Sequence, residues 1–279
     1  MDNVVFLIVM LAAILHASWN GMVKKHSDKV VAVAGIIFGH VPFSIIAIII
    51  LPAPTPESIP YIIVSIFIHQ GYQWFLLSSY QIGDLTKVYP IARGTGPLVA
   101  TLVSILFLGL ILDIITILAI LIICVGIIIL GVFDKAKKNF TVIKYSLLTG
   151  LFIGSYSLVD GHGARLSQSA ISFVSWSFLI NAIIFPFALR LRNEKNVLQR
   201  VYTEGKQIFL IGILFSYASY VLVVWAFTKA PIPVVTSLRE TSIFFTLLIG
   251  YFFLKEKITP IKIFSILMIL SGVVALKLL

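Results

Sequence analysis

Apolar stretches of about 20 residues recur from one end of this chain to the other, and no other feature restricts its fold so severely. As a helix, that length matches the hydrocarbon core of a membrane. We read ten such segments, at 4–23, 30–51, 60–80, 87–107, 113–133, 142–160, 170–189, 207–227, 232–254 and 259–278. Chain breakers separate them: Pro52-Ala53-Pro54-Thr55-Pro56, Gly83-Asp84, Asp134-Lys135 and Lys229-Ala230-Pro231. Only the link from Arg190 to Lys206 is long and polar. Hydrocarbon offers no partner to a backbone N–H or C=O, so a spanning element must be a helix or part of a closed barrel. The period-two alternation of barrel strands is missing, which leaves an all-α membrane protein.

Composition agrees. Of the 279 residues, 59% are hydrophobic and 11% charged, whereas a soluble domain carries roughly a quarter charged residues. Residues 4–23 lack a basic leader and pass through Asn20-Gly21 into Lys24-Lys25, so they read as a span and not as a signal peptide. Cys124 sits in an apolar run as a small core residue, and a lone cysteine excludes an internal disulfide. The net charge of +10 does not point to nucleic acid. Of 21 lysines and arginines, 16 follow odd-numbered segments, and only Arg165, Lys229 and Lys277 lie on the other side. Such a bias marks cytoplasmic loops, and it places both termini outside a cytoplasmic (inner) membrane. The remaining two, Arg93 and Arg239, lie inside spans.

The chain also repeats itself. Arg93 and Arg239, in the fourth and ninth segments, are 146 residues apart, as are Gly126 and Gly272 in the fifth and tenth. His16 and Asn20 in the first segment correspond to Tyr156 and Asp160 in the sixth, each pair four residues apart. Residues 1–138 and 139–279 therefore read as two five-helix repeats of one membrane domain. Five is odd, so the second repeat runs upside down relative to the first. That is the inverted plan of many secondary carriers, which bind solute near the midplane.

With these features on the page, and with Leu254-Lys255-Glu256-Lys257-Ile258-Thr259 before the last segment, the chain resembles the EamA-type members of the drug/metabolite transporter superfamily. The resemblance spans essentially the whole chain. It implies ten helices in two repeats, transport of a metabolite or drug, and cytoplasmic termini, the opposite of what the loop charges give. The first half departs from the pattern, because Leu108-Gly109-Leu110-Ile111-Leu112 lacks the charged pair usual in that turn. The stretch Tyr89-Pro90-Ile91-Ala92-Arg93-Gly94 is similar to a subgroup associated with phosphonate-utilisation gene clusters.

Ionisable groups are costly inside a bilayer, so those within the spans are the candidates for function. Arg93 and Arg239 hold equivalent places, and a guanidinium fork suits a carboxylate or phosphate. The competing reading makes each one a structural partner of an acid, such as Arg239 with Glu240 or Asp160. Apart from Asp113 at the first position of the fifth, Asp160 and Glu240 are the only acids in the spans. Either is a candidate for carrying a coupling proton, or for a permanent charge pair. His16 and Asn20, with Trp19 beside them, and His69 and Gln73, at the same spacing, form polar stripes that must face the bundle interior. Tyr89 and Tyr156 join this expected solute wall. The same stripes would serve equally as helix-to-helix hydrogen bonds. His40 reads as packing, and the histidines offer no metal-ligand spacing. Pro90, Gly94 and Pro97 predict a kinked or locally unwound fourth helix, acting as hinge or gate, while the ninth lacks such breakers.

The expectation is a secondary, ATP-independent carrier of a small zwitterionic or anionic metabolite, such as an amino acid or aminophosphonate, without cofactor beyond a coupling proton. Its partners would be that solute and membrane lipid, and it would work as a monomer or homodimer. An intramembrane enzyme acting on a lipid-linked substrate would show a catalytic constellation in a surface loop. Here the loop acids Asp28, Glu57, Asp84 and Asp113 are scattered. A purely structural subunit would not need to bury two arginines and two acids.

Overall fold

The computed structural model describes residues 1–82, 85–132, 140–205, 212–255 and 258–279. Among these residues the fold is all helical, with no strand. The helices are α1 (Asn3–Lys25), α2 (Lys29–Ile50), α3 (Ile59–Ile82), α4 (Leu85–Leu106), α5 (Ile114–Val132) and α6 (Phe140–Leu166). They continue as α7 (Ala170–Leu191), α8 (Val197–Glu204), α9 (Ile213–Phe227), α10 (Ile232–Arg239), α11 (Ser242–Leu254) and α12 (Pro260–Leu278). Seven spans among the described residues are long and apolar enough to cross a membrane, with α10 and α11 counting together as one. Of the other expected segments, α9 is short, since the start of that segment (207–211) lies outside the described residues. Helices α3 and α4 fall short in apolarity because they carry His69, Gln70, Gln73 and Arg93. Gly83-Asp84, Asp134-Lys135 and Glu256-Lys257 also lie outside the described residues.

Helix starts follow local chemistry. Asp2, Asp28, Ser169 and Thr259 each accept a backbone N–H of the first turn that follows. Asp113 accepts from the Thr116 N–H at 2.8 Å in the same manner. Two of the loop acids, Asp28 and Asp113, are thus used as caps. Asp28 also receives the Arg200 guanidinium, which ties α8 to the α1–α2 connection and is shared with Glu194 at 3.1 Å. Burial alone would raise the Asp28 carboxyl, but the Val31 N–H and Arg200 outweigh it and hold the group below its ordinary value.

Local unwinding falls in the ninth segment, not in the fourth. The fourth helix, α4, runs unbroken through Pro90, Gly94 and Pro97. The ninth segment, which has no proline or glycine at the site, breaks between α10 and α11 at Glu240-Thr241. The reason is partly local: the Glu240, Thr241 and Ile243 N–H groups bond to carbonyls three residues back, and the Thr241 hydroxyl bonds to the Leu238 carbonyl. It is also tertiary, since Glu240 turns toward Arg93 of α4.

Helix α3 packs on α6 and α1 packs on α9; α4 packs on α6, and α1 on α10 and α11; α5 packs on α12, and α2 on α7. Glycines set the closest approaches. A Cβ on Gly154 of α6 would lie 2.6 Å from the Val99 Cβ and 2.8 Å from the Gly96 carbonyl oxygen of α4. At the α5–α12 crossing, Gly126 faces Ser265 and Ile269, while Gly272 faces Ala119 and Ile123. Every member of this contact has its counterpart 146 residues away. Large apolar side chains such as Leu7, Ile49, Phe67, Phe107 and Phe187 are exposed around the outside, where lipid would cover them.

The two ends of the bundle differ. On the face carrying the α2–α3, α6–α7 and α9–α10 connections, the main core seals the molecule with Val5, Val9, Ile62, Phe173, Phe227 and Ile232. Side chains lock its loops there. Arg165 donates to the carbonyls of Phe227 (2.9 Å) and Ala230 (3.0 Å), and Thr55 to that of Leu166 (2.9 Å). The opposite face, which we call basic because it carries Lys24, Lys25 and Lys29, is where the interior opens.

Candidate functional site

A cavity of about 1040 Å³, counting its open mouth, lies among α1, α2, α3, α4, α6, α7, α9 and the end of α10. Its lining runs from mid-bundle residues (His69, Tyr156, Tyr220, Arg239) toward Val23, Val33, Tyr80 and Tyr89, which sit near helix ends on the basic face. Small and polar residues line it where helices converge, and tyrosines fill much of the rest.

The sequence-derived candidates meet here. His16, Trp19, Asn20, His69, Gln73, Tyr89, Arg93, Tyr156 and Arg239 all line the cavity. Asp160 and Glu240 stand behind that wall. Pro90, Gly94 and Pro97 do not line it, and Gly94 packs instead against Cys124, Ile127 and Ile128 of α5.

Four formally charged side chains are almost wholly buried: Arg93 is 4% exposed, Arg239 2%, Asp160 1% and Glu240 0%. Their pairing is not the one that neighbourhood in sequence would propose. Arg93 donates its Nε–H to the Glu240 carboxylate at 2.8 Å, across the α4–α10 contact. Its guanidinium also sits 5.8 Å from the centre of the Tyr89 ring. Asp160 belongs to neither arginine. Its Oδ2 lies 3.0 Å from Nε2 of His69 and accepts the Tyr220 hydroxyl. His69 in turn stacks on Tyr156 with ring centres 4.3 Å apart.

Arg239 is left. Its Nε and Nη2 are buried and make no hydrogen bond within the described protein. The same holds for Nε2 of His16, Nε1 of Trp19 and Oε1 of Gln73, which line the same cavity. Buried polar atoms without partners are costly. Here the side chains that carry them line one cavity. Asn20 spends its amide on the His16 carbonyl of its own helix at 2.8 Å, so it shapes the wall more than it offers donors.

His40, read as packing, both lines the cavity and packs. It bonds to the Ser216 hydroxyl at 3.0 Å and stacks on Phe178 at 4.3 Å. Tyr72, Phe178, Ser216 and Tyr220 are site residues that sequence reading passed over. For the α9 pair a signal existed: Ser216 and Tyr220 repeat the four-residue spacing of His16 and Asn20. In a helix so rich in tyrosine and serine that spacing did not stand out.

Comparison with known proteins gives the family. Residues 141–278 match the EamA-like transporter family. A solved crystal structure superposes with a TM-score of 0.79 at 15% sequence identity, covering 100% of this chain and 99% of its own length. A likeness that distant speaks to the fold alone. No curated protein matches. Seven apolar spans and a family match over its second half make this a multi-pass membrane protein, and the chain belongs to the EamA-type drug/metabolite transporter superfamily.

Proposed function

We propose that this protein is a secondary carrier that moves a small zwitterionic or anionic metabolite across the cytoplasmic membrane by alternating access, without ATP. One observation carries the reading: the Arg239 guanidinium lies buried in the cavity with Nε and Nη2 unpartnered. A buried cation with no acceptor against it costs up to several kcal/mol, on the order of the penalties measured for single charges in membranes. A carboxylate or phosphonate on a solute would complete it with a bidentate pair. An amino acid fits that description. So does an aminophosphonate, which draws further support from the likeness of Tyr89–Gly94 to the phosphonate-associated subgroup.

The inverted two-fold plan is supported by the way helix contacts exchange. Swapping the halves turns α3 on α6 into α9 on α1, and α4 on α6 into α10 and α11 on α1; α5 on α12 and α2 on α7 map onto themselves. In such a plan the two faces open in turn, and the cavity here faces the basic side. The loop charges put that side in the cytoplasm, with both termini outside. Family membership and the use of Asp28 and Asp113 as helix caps favour transport over chemistry at a surface loop.

A second reading, an exporter of bulkier metabolites or drugs of the same superfamily, is favoured by the ring-rich lining of Trp19, Tyr72, Tyr80, Tyr156, Phe178 and Tyr220. Thermal-shift screening of the purified protein against amino acids, phosphonates and uncharged aromatic compounds separates the two. We expect carboxylates or phosphonates to stabilise the wild type and to lose that effect in Arg239→Ala. Equal stabilisation of both proteins by the anions would refute the Arg239 site.

A further inference from the structure

We propose that anion binding at Arg239 is linked to uptake of one proton by the His69–Asp160 pair. The inference rests on the carrier reading above and names the ion that would travel with an anionic solute.

Among the described residues, the almost wholly buried formal charges are two guanidiniums and two carboxylates, which cancel when the histidines are neutral. A monoanion entering the cavity leaves one negative charge in excess in a medium of low dielectric. A proton on a nearby base restores the balance.

Geometry selects the base. Glu240 is held by Arg93 and does not line the cavity. His69 lines it, and its carboxylate partner is already in place. A carboxylate only accepts, so Nε2 of His69 carries a hydrogen toward Asp160, as the Tyr220 hydroxyl does. That fixes the neutral tautomer and leaves Nδ1 as the free base of the ring. Nδ1 makes no hydrogen bond among the described residues. A proton arriving there from water on the basic face gives an imidazolium with Asp160 as its counter-ion at 3.0 Å.

The surroundings supply the linkage. Tyr72 of α3, Tyr156 of α6, Phe178 of α7 and Tyr220 of α9 pack around the ring and bring no charge. His40 of α2, another base lining the cavity, already holds the Ser216 hydroxyl. His16 of α1 lines the same cavity. Of the two cations, Arg93 of α4 is neutralised by Glu240, so Arg239 of α10 is the charge that opposes an imidazolium. An anion on Arg239 removes that opposition. Proton and anion therefore favour each other's binding, and by linkage each tightens the other by the same factor.

Calorimetry with phenylacetate, run in two buffers of different ionisation heat, reads the protons taken up per anion bound. We expect uptake approaching one proton. The affinity should rise as pH falls, by up to about tenfold per pH unit where the pair titrates. His69→Gln and Asp160→Asn should bind phenylacetate without the uptake, and Arg239→Ala should not bind it. L-phenylalanine, which brings its own cation, should take up none. Binding to the wild type that depends on Arg239 but has no uptake and no pH slope overturns the linkage and leaves the anion site standing. Uptake that persists in both His69→Gln and Asp160→Asn overturns the assignment to this pair. If phenylacetate does not bind the wild type, the anion site fails and the linkage with it.

Discussion

Arg239 and Glu240 are adjacent, yet the bundle assigns them opposite roles. Consecutive positions on a helix point about 100° apart, and here the helix also breaks after Arg239. Glu240 reaches α4 and neutralises Arg93, while Arg239 turns into the cavity. Removing one partner of a buried pair strands the other charge, at a cost of roughly 3–5 kcal/mol. Removing an unpartnered buried cation relieves a cost. Thermal unfolding in detergent should therefore show Glu240→Ala and Arg93→Ala strongly destabilised, and Arg239→Ala as stable as the wild type or more so. A loss in Arg239→Ala as large as in Arg93→Ala would mean that Arg239 is a structural partner after all. Sequence alone singled out all three residues, because charges in apolar segments are conspicuous. It could not say which met which, since Arg93 and Glu240 are 147 positions apart.

For the helices themselves, composition located most of the described segments to within a few residues, although α6 runs to Leu166, six residues past its expected end; it misjudged where continuity would fail. Prolines at positions 90 and 97 sit inside an intact α4 because neighbouring helices close around it. The break in the ninth segment needs no special residue, only a glutamate drawn across to Arg93 and a threonine that bonds back to Leu238. Close approach of α4 and α6 depends on glycine. In Gly154→Ala the added methyl meets Val99 and the Gly96 carbonyl oxygen at 2.6 and 2.8 Å, too close for a real contact. We expect a loss of roughly 1–3 kcal/mol, the usual cost of overpacking, read as a lowered unfolding temperature. An unchanged temperature would mean that the two helices are not held at this separation. The glycine at position 154 is visible in the sequence, but nothing there says what it faces.

At the scale of the whole molecule, the asymmetry between the faces is what makes a carrier plausible. One end is closed by the core and by Arg165 clasping the α9–α10 turn; the cavity that Arg239 lines lies toward the other. Cys124 is fully buried, so single-cysteine variants report cleanly. Val33→Cys and Tyr80→Cys, at partly exposed cavity positions, should react with a membrane-impermeant thiol reagent applied to the basic face, and resist it from the opposite face. Reaction from the opposite face alone would reverse the direction of access described here. The basic face should prove cytoplasmic in cells.

The sequence by itself determined that the chain lives in a membrane as packed helices. It also marked which few polar residues lie in the interior. These follow from local properties: apolar length, spacing along a helix and the cost of a charge in hydrocarbon. The tertiary structure alone decided that Arg93 is satisfied and Arg239 is not, that Asp160 answers to His69, and which end is open. Those are matters of distance between residues far apart in the chain, and electrostatic energy depends on separation in space, not on position in the sequence.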